Sequence, residues 1–228
     1  MAQMQELTKN QLDRIQLTPE STVLDVGGGA GRLTIPLAKR VKHVTALEPS
    51  PKMFDILNSN IKEKNLHNVT TINRCCEDLV SENFVQPHDI VVSSFSLFMV
   101  DVGNVLQKLD KLANKAVYLF VFASQWMNDE LQKIVNGDIT PITSSDHIYI
   151  YNILHDLGIL ANVEIWSSES RHCYQNLDEA ATKFSEKYGV ADKKEEIRAY
   201  LDGRMIKENG KLVHKPERKT AMVWWTKT

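Results

Sequence analysis

This chain of 228 residues predicts a doubly wound α/β fold with a largely parallel sheet, on three observations. Short apolar runs such as Thr22–Val26, His43–Leu47 and Ile90–Val92 alternate with stretches of helical period, the order that builds a parallel sheet covered on both faces. The first run carries Asp25 near its end and is followed by four glycines in five positions, Gly27, Gly28, Gly29 and Gly31. The second run ends at another carboxylate, Glu48, close to the interval of about 20 residues that separates the two ligand-binding strand ends of a nucleotide site.

The glycine turn reads as a strand that stops and a helix whose first amides face a ligand, with glycine where φ is positive or where a ligand leaves no room for Cβ. The dinucleotide fingerprint G-x-G-x-x-G requires its third glycine at position 32, where Arg32 stands. Asp25 would repel a pyrophosphate and attract a cation. S-adenosylmethionine carries a sulfonium and an ammonium and no phosphate, so the acidic strand end favours it over NAD.

Asp25-Val26-Gly27-Gly28-Gly29-Ala30-Gly31, then Glu48-Pro49-Ser50-Pro51-Lys52-Met53, and the order of strands resemble the class I S-adenosylmethionine-dependent methyltransferase family over about residues 18–166. The resemblance implies a Rossmann-like, seven-stranded sheet, mainly parallel with an antiparallel last strand. It implies cofactor binding by Asp25, Gly27, Gly28, Gly29, Glu48 and Pro49, with the Glu48 oxygens accepting the ribose hydroxyls. The family contacts adenine at the exit of the third strand, commonly through an Asp and a backbone amide. Here a cysteine stands in the Asp position of Cys75-Cys76-Glu77-Asp78, so Cys76 and Glu77 are taken as the contacts, with Asp78 the alternative acid. The resemblance also implies that Ser94 and Phe95, at the exit of the fourth strand, are the positions nearest the methyl group.

Taken in order, residues 4–17 space Leu7, Leu12, Ile15 and Leu17 as an amphipathic helix that Pro19 ends. A helix follows the glycine turn with Leu33, Leu37 and Val41 inward, and Pro36 is tolerated in its first turn. Ser50 caps the next helix, Pro51 begins it, and Met53, Ile56, Leu57 and Ile61 form its inward stripe. Residues 69–74 and 89–94 are the third and fourth strands, 102–113 a helix with Val105, Leu106, Leu109 and Leu112 inward, and 115–123 the fifth strand. Tyr151, Leu154 and Leu157 mark a helix before the sixth strand at 159–166. Residues 124–148, holding Trp126, Met127 and Pro141, lack a period and are expected to form the segment that selects substrate. An insertion at 167–219 is expected to hold helices near 177–188 and 193–201, a polar turn at Glu208-Asn209-Gly210-Lys211, and a solvated basic cluster of Lys207, Lys211, His214, Lys215, Arg218 and Lys219. The last strand is 220–226. The whole reads as one methyltransferase domain over 1–228.

A composition of 43% hydrophobic and 25% charged residues fits a single three-layer domain, and the net charge of −2 lacks the basic footprint of a nucleic-acid binder. No apolar run reaches the roughly 18 residues of a membrane helix, and the N-terminus lacks a signal-peptide pattern, so a cytoplasmic protein without a membrane partner is expected; a homo-oligomer is compatible with this composition. Three cysteines give neither a disulfide framework nor a zinc spacing, and no metal site is expected.

A methyltransferase aligns a nucleophile with an already activated S–CH₃ bond and needs no triad. His147, Tyr149, His172 and Tyr174 are candidates for a base. The residues after the fourth strand carry no Asn-Pro-Pro-Tyr-like stretch, no Pro-Cys nucleophile and no Asp cluster for a metal. The resemblance implies methyl transfer by in-line displacement, and the net charge of −2 favours a small-molecule acceptor. An RNA or protein methyltransferase, or a non-catalytic subunit that binds the cofactor, are the alternatives.

Overall fold

The computed structural model describes residues 2–78, 85–97, 101–124, 128–137, 146–169 and 171–227, which form two compact units. The first comprises residues 1–122, 146–165 and 221–228, and the second 123–145 and 166–220.

The first unit is built on a seven-stranded sheet of order β3-β2-β1-β4-β5-β10-β6. Its strands are β1 (Thr22–Val26), β2 (His43–Leu47), β3 (Val69–Ile72), β4 (His88–Ser94), β5 (Ala113–Phe122), β6 (Asn162–Glu169) and β10 (Glu217–Thr226). β1 pairs in parallel with β2, Asp25 opposite Ala46, and with β4, Asp25 opposite Val92. β2 pairs in parallel with β3, and β4 with β5. β10 runs against β5: the Lys227 amide donates to the Lys115 carbonyl and the Ala123 amide to the Lys219 carbonyl. Val23, Leu24, Val44, Val91, Val117 and Leu119 are fully buried, as central strands covered on both faces require. The strand order reverses between β1 and β4, which opens a crevice at their carboxyl ends.

The helices of this unit are α1 (Ala2–Leu12), α2 (Thr34–Ala38), α3 (Pro51–Glu63), α4 (Val102–Leu112) and α6 (Asp146–Asp156); α5 belongs to the second unit. α1 stops short of the expected 17, yet Leu12 and Ile15 are buried and Arg14 Nε bonds Glu164 Oε1 at 2.9 Å. Ser50 caps α3, its Oγ accepting the Met53 amide at 3.4 Å, and Pro51 starts it. The inward stripe expected of α3 shrinks to Leu57. Met53 and Ile56 are exposed, because this helix covers only the edge of the sheet near β3. α4 buries the expected Val105, Leu106, Leu109 and Leu112. In α6, Ile150 and Leu154 are buried while Tyr151 faces out. Trp225 Nε1 of β10 donates to Asp110 Oδ1 at 2.8 Å.

The second unit holds α5 (Asp129–Asn136), β7 (His172–Tyr174), α7 (Leu177–Tyr188), α8 (Lys194–Asp202), β8 (Met205–Glu208) and β9 (Lys211–His214). β7, β9 and β8 form an antiparallel sheet in that order. Asn209 and Gly210, both at positive φ, make the tight two-residue turn between β8 and β9. Leu131, Ala181, Phe184, Ile197 and Leu201 lie in its core. Asn176 caps α7 and left-handed Gly189 ends it. α5 occupies part of the stretch expected to lack a period, with Asn128 Oδ1 capping the Leu131 amide. His214 leaves the expected solvated basic face: it is buried against the Phe184 ring, and burial lowers its pKa to about 4. Glu208 takes up Arg171 and Lys215. Trp126, Met127 and Pro141 fall outside the described residues, as do 98–100.

Candidate active site

The carboxyl ends of β1, β2 and β4 surround a cavity of about 630 Å³, within the range of small-molecule sites. Its floor is the glycine turn. The Gly27 and Gly28 amides both donate to the Leu47 carbonyl, at 2.9 and 2.8 Å, which fastens the turn to β2. Gly29 has φ +56°, and a Cβ there would meet nothing within 4 Å. Its face toward the cavity is open, as a cradle for a ligand requires.

Glu48 is buried, and its carboxylate joins two loops: Oε2 accepts the Gly29 amide at 2.7 Å and Oε1 the Ser50 amide at 2.9 Å. Each oxygen keeps lone-pair capacity for a further donor such as a ribose hydroxyl. Asn73 Nδ2 steadies this loop by donating to the Glu48 carbonyl at 2.7 Å, and Asn60 Nδ2 holds the Ala30 carbonyl at 2.9 Å.

Asp25 is almost wholly buried and accepts Thr34 Oγ1 at 2.6 Å. Burial pushes its pKa up to about 6, against the lowering effects of Thr34 and Arg32, while Glu48 adds to the rise. The raised value gives the free protein a contribution to stability that is fully present below the unfolded value near 4 and is lost as pH rises through about 6. A bound cation favours the ionised form, so ligand affinity has the opposite trend. The dissociation constant for S-adenosylmethionine is expected to be flat above about pH 7 and to rise up to tenfold per unit as pH falls below 6. A titration series from pH 5 to 8 checks this; an equal slope in Asp25→Asn would assign the effect elsewhere.

Phe95 has φ +55°, its amide donates to the Phe120 carbonyl at 2.8 Å, and its ring stacks on Phe122 at 4.4 Å. Strand pairing and stacking together hold this strained residue against the cavity. Ser96 Oγ donates to the Val26 carbonyl at 2.6 Å.

The cavity brings together all ten residues expected at the cofactor site: Asp25, Gly27, Gly28, Gly29, Glu48, Pro49, Cys76, Glu77, Ser94 and Phe95. Asp78 is not among its lining residues. Cys76 Sγ donates to Glu77 Oε2 at 3.3 Å, and burial, followed by Glu77, pushes the thiol up to about 12. Arg32, Met53, Arg74 and Ser96 also line the cavity and were not read as site residues. For Met53 the signal was available: a methionine one turn after a strand-end carboxylate suits a ligand wall as well as a core.

None of the four candidate bases lines the cavity. His172 and Tyr174 lie in the second unit, where Tyr174 packs on Phe184 and burial raises its pKa to about 12. Tyr149 is 63% exposed on α6. His147 begins the same helix with Nδ1 buried and without a hydrogen-bond partner among the described residues. Its neighbour Asp146 accepts a hydrogen bond from the backbone of Phe122, the residue stacked on Phe95. Among the described residues no group of His, Cys, Asp and Glu is placed to hold a metal ion, and no helix is long and apolar enough to cross a membrane.

A mainly parallel seven-stranded sheet of this order, with β10 antiparallel, has the Rossmann-like fold of the class I methyltransferases. Residues 23–115 match the family described as a methyltransferase domain. An uncharacterised protein of Haemophilus influenzae is 28% identical over 220 residues, covering 94% of this chain and 79% of the relative. A probable ribosomal RNA small subunit methyltransferase A of Methanosphaera stadtmanae is 35% identical over 109 residues, 48% of this chain and 38% of that protein. Among solved structures, the precorrin 8w decarboxylase of Methanobacterium thermoautotrophicum has a TM-score of 0.60 at 16% identity, covering 98% of this chain and 90% of the other. The magnesium protoporphyrin IX methyltransferase of Synechocystis with bound S-adenosylhomocysteine has a TM-score of 0.55 at 17% identity, covering 96% and 80%. At these identities the structural likeness is one of fold.

Proposed function

We propose that this protein transfers a methyl group from S-adenosylmethionine to a small-molecule acceptor. The observation that carries the cofactor half of the reading is the joint placement of Asp25, the open face of Gly29 and the Glu48 carboxylate on one cavity. The sulfonium supplies an activated methyl; the chain's task is to hold it in line with the acceptor. In this reading Glu48 takes the ribose hydroxyls, the glycine amides and Asp25 face the methionine moiety, and Phe95 walls the methyl-bearing end. As the acceptor's lone pair forms its bond to the methyl carbon, the S–C bond breaks and its electrons return to sulfur, giving S-adenosylhomocysteine. An acceptor proton leaves to water or to a base, for which we propose His147, because its buried Nδ1 has no partner among the described residues and its neighbour Asp146 accepts a hydrogen bond from the Phe122 backbone.

A small acceptor is supported by the net charge of −2 and by the small-molecule substrate named for the magnesium protoporphyrin neighbour. Two measurements test the proposal. In a calorimetric titration, S-adenosylmethionine and S-adenosylhomocysteine are expected to bind and NAD to bind far more weakly; tighter binding of NAD would refute the cofactor half. A tritiated-methyl screen against metabolite pools, ribosomal and transfer RNA, and peptides is expected to label a low-mass product. Label in RNA alone would move the function to the class of the Methanosphaera relative.

A further inference from the structure

We infer that Arg32 is the residue that receives the α-carboxylate of the cofactor's methionine moiety. The inference rests on S-adenosylmethionine being the ligand of this cavity. Arg32 directly follows Gly31, lines the cavity and is largely withdrawn from solvent, which lowers its pKa. Its Cζ lies 5.9 Å from the Phe95 ring centroid, and among the described residues its hydrogen bonds leave from the two terminal nitrogens. Nη1 donates to Gln11 Oε1 at 2.7 Å and Thr8 Oγ1 at 3.2 Å, and Nη2 to Ser94 Oγ at 2.5 Å. Gln11 is fully buried and its Nε2 donates to the same Ser94 oxygen at 3.1 Å, so α1 and the end of β4 together fix the guanidinium.

The three hydrogen-bond acceptors and the Phe95 ring are all neutral. Among the described residues no carboxylate forms an ion pair with Arg32, and Asp25 acts on it only through space. A guanidinium does not shed its charge, and burying one without an anion is costly. Arg32 Nε donates to no described residue. Together with Nη2 it forms the edge of the fork that takes a carboxylate through two parallel hydrogen bonds. The ligand of this cavity carries one carboxylate beside its ammonium and sulfonium, and Asp25 already answers the cations. Arg74 is the other arginine on the cavity wall, but it follows β3, beyond β2 and Glu48, on the side away from β1 and β4. With Glu48 on the ribose, Arg74 lies at the adenine end and Arg32 at the methionine end.

The test is a ligand-by-residue cycle. Dissociation constants are measured by calorimetry for S-adenosylhomocysteine and for its analogue lacking the carboxylate, using the wild type, Arg32→Met and Arg32→Lys, each shown to melt cooperatively. The wild type is expected to prefer S-adenosylhomocysteine by about tenfold or more, Arg32→Met to lose that preference while its affinity for the analogue changes less than about threefold, and Arg32→Lys to keep part of it. Equal weakening of both ligands in Arg32→Met and Arg32→Lys would show a residue that merely holds α1 to the site, and would overturn the inference. So would a wild type that does not discriminate. If the wild type binds neither ligand, the cofactor reading fails first and takes this inference with it.

Discussion

Gly27→Ala is expected to lower the melting temperature by about 10 °C or more. Gly27 sits at φ +80°, and an added Cβ would stand 2.5 Å from Ser96 Oγ and closer still to Ser96 Cβ. A side chain in the left-handed region costs about 1–2 kcal/mol, overpacking about 1–3 kcal/mol, and breaking the Ser96 bond to the Val26 carbonyl about 1 kcal/mol more. For a chain of this size about 2–4 °C follows from each kcal/mol. Gly29→Val is the informative contrast. Position 29 has φ +56° with nothing within 4 Å, so the substitution costs strain of about 1–2 kcal/mol and places its methyl groups where the ligand lies. It should melt within a few degrees of wild type and lose cofactor binding. Parallel melting and binding measurements separate the two positions, and a Gly29→Val protein that binds normally would return the turn to a structural role.

Glu48→Ala is expected to weaken cofactor binding by tenfold or more and to cost some stability as well. The carboxylate accepts the Gly29 and Ser50 amides, and hydrogen bonds to a charged group contribute about 1.5–3 kcal/mol each. Alanine leaves both amides without their acceptor and removes the receptor proposed for the ribose. Glu48→Gln retains one accepting oxygen, while its amide group opposes the other N–H, so an intermediate loss is expected. Once the carboxylate is gone, the 2′-deoxy analogue should bind nearly as well as the parent ligand. Unchanged affinity in a well-folded Glu48→Ala protein would remove Glu48 from the site.

β1 and β2 were legible to the residue, because their apolar runs are bounded by polar residues and lead into a glycine turn and a carboxylate. The start of α3 was equally legible from Ser50 and Pro51. The small sheet of the second unit was not: β7, β8 and β9 have three or four residues each, too few for a period-two pattern to show. α5 escaped for a different reason. Its caps, Asn128 and Gly137, are local and visible, but its eight residues lie in a stretch otherwise without a period. At the site, glycines and carboxylates announce themselves through backbone chemistry near in sequence. Arg32 stood out only as the residue that spoils a dinucleotide fingerprint. What gives it a role is Gln11, 21 residues away, and Ser94, 62 residues away, partners that only the folded sheet brings to it.

One carboxylate that already grips the backbone on two sides has a thermodynamic corollary. The loops after β1 and β2 are cross-linked by Glu48 and further pinned by Asn60 and Asn73 before any ligand arrives. Ordering these loops therefore withdraws little entropy from association, and the penalty that mobile binding loops impose is largely absent. Binding at this end of the cavity should register in calorimetry as rigid docking, with a heat-capacity change set by the apolar surface that the ligand covers and not by folding of the chain around it.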